Sequence, residues 1–463
     1  MSLWTDLLTA PQPSALDLAL QSWIEEQEAN LRAGYELYRQ YYRGNHRSQL
    51  TDRLKKFLPQ TLEFRDNFLD VVVDVAAERL NLIGFDAGAQ PTVAETIWAW
   101  WQANRMDAMQ QLVHTETLIN GDAYVMATWE DSIPRFYFQD PQMIVARYDA
   151  NTRRLAFVSK KWAETHEIGQ TAVTRLNIYY PERIEKYRAS GGVWLRHQDE
   201  GEQAWPLPWR DKQGRPLGIP IVHFRNRALS DDFGLSELAD LIPLQDLLNK
   251  ALIDLMMILD TQAFRQRYTL GIEPPSQYDI TPGAVWSLQS EDPANAKVGE
   301  FGVSEIDGSL RAIETIIQHI AGQSRTPQHL FHISGDYPSG EALKTAEAGL
   351  VHKVKEKQVN FGNSWEDLMY VALRMQGVWG RAVAPVETTL SALWSDPETR
   401  NEKAHLEGLK MKAELGITRD QLWREMGYSQ EQIDQMHEDK QRERIEDTNI
   451  GAEILKSFSR GEG

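Results

Sequence analysis

Apolar residues recur every three to four positions over long stretches of this chain, the period of a helix buried along one face. Residues 15–43 read as a helix that ends in the aromatic cluster Tyr35, Tyr38, Tyr41 and Tyr42 and stops at Gly44. The stretch 64–85 places Phe68, Val71, Val72, Val75 and Leu80 on one stripe and closes at Gly84, a helix-ending residue type. A third helix is predicted over 92–119, with Ile97, Trp98, Trp101, Met109, Leu112 and Ile119 as apolar positions. Asn120-Gly121-Asp122 then turns the chain into the strand AYVMATW.

From there to about residue 227 the pattern is that of strands. The runs RFYFQ, MIVARYD, LAFVSKKW, RLNIYY, VWLRH and PIVHF are separated by Gly, Pro, Asn and Asp at the spacing of antiparallel strands. The many Trp and Tyr residues here are expected to pack a core before they stack on bases.

Helical periods return in the second half. Residues 235–268 are apolar on more than one face, so this helix should pack on several sides, with Pro243 kinking it or marking its first turn. A Pro- and Gly-punctuated excursion, 269–307, separates it from a returning helix that carries Leu310, Ile313, Ile316, Ile317 and Ile320 inside. Long helix, excursion and returning helix together predict a hairpin with a β-like tip. The longest helical pattern runs from about Glu341 to Val378, and its apolar steps fail near 357 and 358. Lys353, Lys355, Lys357 and Gly362 lie around that failure, which predicts a bend or a solvent-lined segment there. From about 395 the chain is helical and highly charged.

Charge changes the picture in two places. The 463 residues carry 49 basic and 67 acidic side chains, a net charge of −18, so the average surface repels nucleic acid. The excursion 269–307 concentrates this, with seven acids (Glu273, Asp279, Glu291, Asp292, Glu300, Glu305, Asp307) against Lys297 alone. That segment reads either as a solvated loop or as a surface that repels phosphate or docks a basic partner. There is no cysteine, which excludes disulfides and thiolate metal sites. No apolar run approaches the ~20 residues of a membrane span and no signal peptide opens the chain. A soluble, intracellularly made protein of two or three domains is expected, with no membrane partner.

The candidate chemistry centres on HISGDYPSGEALK, 332–344. It resembles a phosphate loop in composition, yet Gly340 is followed by Glu341 and Ala342, not by the Lys-Ser/Thr of a nucleotide-binding loop. Asp336 and Glu341 have no companion acid that would complete a nuclease site. His329 and His332 have ligand-like spacing, but no flanking carboxylate pair completes a metal site. The helices around Gly427 resemble a helix-turn-helix without a basic recognition face. No cofactor and no metal are expected. Two readings compete with a structural role: a metal-dependent nucleic-acid-processing enzyme using 332–344, and a helical scaffold without a channel.

Several stretches, in order along nearly the whole chain, resemble the portal proteins of tailed double-stranded DNA phages with long noncontractile tails. They are YELYRQYYRGNHR (35–47), RDNFLDVVVDVAAERLNLIGF (65–85), HTETLINGDAYV (114–125), GIPIVHFRNR (218–227), GLSELADLIPLQDLLNKALID (234–254) and SRTPQHLFHISGDYPSGEALKTAEAGLVHKVKEKQ (324–358). SDPETRNEKA and GITRDQLWREMGYSQEQI match that family's closing segments. The resemblance implies an α+β portal fold, helix-rich with a β-rich wing and clip, closed into a cyclic ring, typically of twelve subunits. By similarity, 1–234 would be the wing, 235–268 the first stem helix, 269–307 the clip and 308–328 the second stem helix. The tunnel loop would be 329–340, a long kinked helix returning to the wing 341–394, and the crown 395–463.

The same resemblance implies a structural, non-enzymatic role at one capsid vertex, in the virion and, during assembly, in the host cytoplasm. The ring would pass double-stranded DNA without reading its sequence. It would dock the terminase large subunit, a head completion or adaptor protein, and capsid and scaffolding proteins. His332, Ser334, Asp336, Tyr337 and Ser339 would form the tunnel loop, with Ser339 a candidate N-cap of the helix that follows. Arg265, Arg267, Arg311, His319, Lys353, Lys355 and Lys357 are candidate channel-lining residues, or else bridges between subunits. Glu291, Asp292, Glu300 and Glu305 are candidates for partner docking in the clip.

Overall fold

The computed structural model describes residues 15–45, 66–164, 173–190, 193–202, 204–228, 232–263, 267–270, 297–300, 306–331, 340–380, 388–398, 409–426, 428 and 432–442. In chain order its elements are α1 (Ala15–Tyr42), α2 (Leu69–Ala77), β1 (Leu82–Asp86), α3 (Pro91–Ala103) and α4 (Met106–Asn120). A β-rich stretch follows: β2 (Asp122–Glu130), β3 (Ile133–Gln139), β4 (Ile144–Tyr148), β5 (Leu155–Glu164), β6 (Val173–Tyr179), β7 (Arg183–Ser190), β8 (Val193–Arg196), β9 (Leu207–Pro208) and β10 (Ile221–Arg225). Then come α5 (Ile242–Ala263), β11 (Arg267–Leu270), β12 (Lys297–Glu300), α6 (Ile306–Ser324), α7 (Gly340–Trp379), β13 (Ser391–Trp394) and α8 (Arg419–Glu425). The architecture is a mixture of helix and sheet, in two compact units. One comprises Met1–Arg39, Val72–Ala239 and Asp336–Gly463, the other Gln40–Val71 and Asp240–Gly335.

Three antiparallel sheets organise the first unit: β10-β2-β3, β1 with β13, and β4-β5-β6-β7-β8 with β9 on β7. The strands expected between 122 and 227 are present. Two more lie there, the two-residue β9 and β7, which pairs with β6, β8 and β9. Its sequence, RIEKYRAS, hid it, because charged residues surround its two buried side chains, Ile184 and Tyr187.

Two predicted helices are shorter than their patterns. The stripe over 64–85 is helical only over α2. The following LIGFD is a strand, β1, whose partner β13 lies some three hundred residues downstream. An apolar run of that length suits either state, and the distant partner decides it. The predicted helix 92–119 is two helices, because Arg105 adopts φ 53° in the left-handed region. The neighbouring Asn104 side chain fixes this break by donating to Trp100 O at 2.8 Å and Pro134 O at 2.9 Å, while its Oδ1 accepts from Phe136 N at 3.1 Å. The expected turn at 120–122 is present, with Gly121 at φ 91° ending α4.

An aromatic core fills the space between α3, α4, β10 and α7. Trp101 meets Trp98, Phe85 and Trp365 with ring centroids 5.8, 5.7 and 5.0 Å apart, and Phe224 meets Trp365 at 4.5 Å. His114 sits inside this core, fully buried. Its Nδ1 lies 3.1 Å from Leu80 O, and its Nε2 accepts from the Trp365 indole at 3.0 Å. Only a neutral imidazole with its proton on Nδ1 makes both bonds. Burial, outweighing the bond to Leu80, pushes its pKa down to about 3.

In the second unit α5 packs on α6, and β11 pairs antiparallel with β12. The β-like tip predicted for the hairpin is therefore present over those two strands. Pro243 falls in the first turn of α5, where its missing N–H costs nothing, and 235–241 are not helical. Gln245 and Asn249 of α5 bind the backbone at 66–68: Gln245 accepts from Phe68 N at 3.0 Å and donates to Asp66 O at 2.7 Å, and Asn249 accepts from Asp66 N at 2.9 Å.

Candidate functional site

The hairpin of the second unit carries the first group of candidate residues. On α6, Ile313, Ile317, Ile320 and Ala321 form the buried stripe, and Arg311 and His319 lie on the exposed face with Glu314, Gln318 and Gln323. Leu310, expected inside, continues that stripe one turn towards the start of α6 but is 45% exposed. On α5, Leu247 and Leu259 are each 47% exposed, and Leu252, Leu255, Met256, Met257 and Ile258 are only half-buried. The wide apolar arc predicted from the sequence is thus incompletely covered within one chain. Arg267 lies in β11 opposite Glu300 of β12.

Other candidates fall outside the described residues: the whole set His332, Ser334, Asp336, Tyr337 and Ser339, together with Arg265, Glu291, Asp292 and Glu305. The neighbouring His329 lies in a single turn of 3-10 helix, Gln328–Leu330, after Pro327. Among the described residues no group of three His, Asp or Glu side chains could hold a metal ion.

The three lysines of the long helix separate. Lys355 is exposed and reaches Glu398 at 3.1 Å. Lys353 and Lys357 are 6% and 4% exposed, and both end on Glu237, at 3.3 and 2.5 Å. α7 is one continuous helix through this region, and Lys353 and Lys357 are buried where a solvent-lined segment was expected. They do not line an open surface of this chain: the apolar period fails at 357 because two ammonium groups and one carboxylate replace hydrocarbon in the interior. Burial alone would raise the Glu237 carboxyl. The ammonium groups of Lys357 and Lys353, with bonds from Lys357 and Asn226, outweigh it and bring the carboxyl down to about 2.

Around Glu237 the chain is bolted down at Asn226 and over 234–238. Glu237 N bonds Leu118 O at 3.0 Å, and Leu235 N bonds Asn226 O at 2.8 Å. Gly234 N donates to Asp122 Oδ1 at 2.7 Å. A Cβ on Gly234 would lie 2.2 Å from Gly121 O, so the two glycines allow a backbone contact that no other residue permits. Asp122 also binds Tyr35 OH at 2.8 Å and His223 Nε2 at 2.8 Å, and Tyr148 OH lies 3.1 Å from His223 Nδ1. This polar layer fixes the segment through which the chain leaves the first unit towards α5.

Sequence reasoning singled out neither Glu237 nor Asn226. A signal was present: Lys353 and Lys357 are spaced i, i+4 on the stripe of Leu350, Val354 and Phe361, and a lysine on an apolar stripe requires a buried partner. Which acid it would be could not be read from spacing.

Comparison with known proteins adds the remaining observation. A family described as phage portal protein, SPP1 Gp6-like, matches residues 21–446. The portal protein of Mycobacterium phage D29 is 25% identical over 454 residues, covering 91% of this chain and 89% of that protein. That of Mycobacterium phage L5 is 25% identical over 390 residues, covering 79% and 76%. Among solved structures, a chain from the virion of a native gene transfer agent particle is 12% identical with a TM-score of 0.41. One from the neck of the native particle, computed with C12 symmetry, is 14% identical with a TM-score of 0.42. Each covers 78% of this chain and 88% of its own.

Proposed function

This chain belongs to the SPP1 Gp6-like phage portal protein family, and from that premise we propose how its parts serve a head-to-tail connector. The family is structural. The chain acts as a portal, and we assign it no catalytic role.

In this reading identical subunits close into a ring, typically of twelve, at one capsid vertex of the virion, assembled in the host cytoplasm. The half-covered arc of α5 favours this arrangement. Leu247 and Leu259 expose hydrocarbon that a neighbouring subunit would bury, and a cyclic interface satisfies every such surface without leaving a free end. The 235–268 and 308–328 segments form the stem, 269–307 the clip, 329–340 the tunnel loop and 395–463 the crown. Residues 1–234 build the wing, and 341–394 form the long kinked helix and the return to it.

Double-stranded DNA passes through the ring, inward at packaging and outward at ejection. Each phosphate neutralised by a fixed cation strengthens binding through counterion release, so a passage should carry few cations. Arg311 and His319, sparse on the exposed face of α6, suit contacts that guide without holding, and Arg265, Arg267 and Lys355 are retained as further candidates. The acids Glu291, Asp292, Glu300 and Glu305 form a clip surface that docks the terminase large subunit and later the adaptor protein. Capsid and scaffolding proteins meet the outside of the ring.

The family match over 21–446 carries the portal reading, and the loop 332–339 offers its most specific test. Deleting 333–338 should leave ring assembly intact while impairing packaging or retention of DNA, measured by nuclease-protected genome in a complementation assay. Loss of folding in the deletion variant would make the loop a structural element and remove it from the passage.

A further inference from the structure

Three buried side chains around Lys357 form a chemical group that a portal does not need for passing DNA. Asn226, one residue beyond β10, is 1% exposed, Lys357 is 4% and Glu237 is 7%. Lys357 Nζ lies 2.5 Å from Asn226 Oδ1 and 2.5 Å from Glu237 Oε1. That same Oε1 accepts a hydrogen bond from Asn226 Nδ2 at 3.0 Å. One carboxylate oxygen therefore touches both an amine and the nitrogen of the amide beside it. The amide is held in place: Nδ2 also donates to Leu235 O at 2.7 Å, and the Asn226 backbone N bonds Gly121 O at 2.8 Å.

We propose that Lys357, Asn226 and Glu237 constitute a self-crosslinking site, in which Lys357 Nζ and Asn226 Cγ join as an intramolecular isopeptide bond. The ion pair is the resting state; in its minor neutral form Glu237 carries one proton taken from the Lys357 ammonium, and the freed amine attacks Cγ. A second proton passes from Nζ through the carboxyl group to Nδ2, and the Cγ–Nδ2 bond breaks. Ammonia leaves with the first proton as ammonium, and Glu237 returns to its carboxylate. One C–N bond forms and one breaks, with no oxidant or co-reactant.

The surroundings supply what such a step requires. Nucleophile, electrophile and proton carrier are held together before reaction, the condition under which an intramolecular attack gains most over its bimolecular equivalent. The carboxylate is itself fixed in orientation, since Lys353 reaches its other oxygen at 3.3 Å. Phe224, Val354 and Phe361, close along the chain to Asn226 and Lys357, are fully buried, which keeps out water that would compete for Cγ. The bond would tie the segment after β10 to the middle of α7, converting a hydrogen-bonded contact into a covalent one.

Mass spectrometry of the purified full-length chain under denaturing conditions decides the matter. The expected intact mass is lower than the sequence mass by one ammonia, and a protease digest yields a branched peptide joining Asn226 to Lys357. E237A and K357R should each return to their full sequence masses. The wild-type measurement does not depend on how those variants fold. Full mass with separate 226 and 357 peptides, from protein shown to be folded, would overturn the proposal. So would an ammonia loss that maps to any other pair, Lys353 included.

Discussion

His114 shows how a single side chain sets the acid limit of the first unit. It is neutral in the folded core because Leu80 O and the Trp365 indole use both ring nitrogens. An unfolded histidine titrates near 6.5, whereas this one is pushed down to about 3, so the unfolded chain binds the extra proton first. His114's contribution is therefore complete above about pH 6.5 and is lost progressively as pH falls towards 3. Glu237, held at about 2, adds a second loss that begins near the ordinary glutamate range and continues downward. Thermal melts followed by tryptophan fluorescence should show a midpoint that declines across this window. His114→Gln should flatten the decline between 6.5 and 3 while costing about 1–3 kcal/mol at neutral pH through the bonds it disturbs. Neither residue was legible in the sequence. His114 looks like any polar position on α4, and the lysine partners of Glu237 lie more than a hundred residues away.

At the scale of elements, legibility followed the range of the deciding contact. The hairpin from α5 to α6, the Pro243 start of α5, the turn at 120–122 and the run of strands to β10 are written locally, in turn residues and periodicity. β1, the break at Arg105 and the burial of Lys353 and Lys357 were not, because each is settled by a partner distant along the chain: β13, β3 and Glu237 respectively. The apolar positions that the sequence places on more than one face of α5 are only partly covered within one chain. Replacing Leu247 and Leu259 together by glutamate should leave the isolated chain within about 0.5 kcal/mol of its starting stability, since both side chains are already half-exposed. The same double substitution should prevent ring formation, seen as loss of the large species in analytical ultracentrifugation. An unchanged oligomer would place the subunit contact elsewhere.

For the whole molecule, a net charge of −18 belongs to a chain of a family whose members are portals. Acid concentrated in 269–307 is repeated by every subunit of a ring, so small changes there are amplified by symmetry. Reversing Glu291, Asp292 and Glu300 to lysine should leave rings intact and impair packaging with the cognate terminase; unchanged packaging would remove charge from the docking account. The collinear resemblance made the family legible at this scale, although no single motif was specific. The side chains that meet DNA were not legible, because facing a passage is a property of the closed ring and leaves no period in one chain. The most direct measurement is electron microscopy of the purified, assembled chain. The account predicts closed rings of identical subunits, typically twelve, around an axial hole wide enough for duplex DNA. Open or helical oligomers, or a closed particle with no hole along its axis, would contradict it.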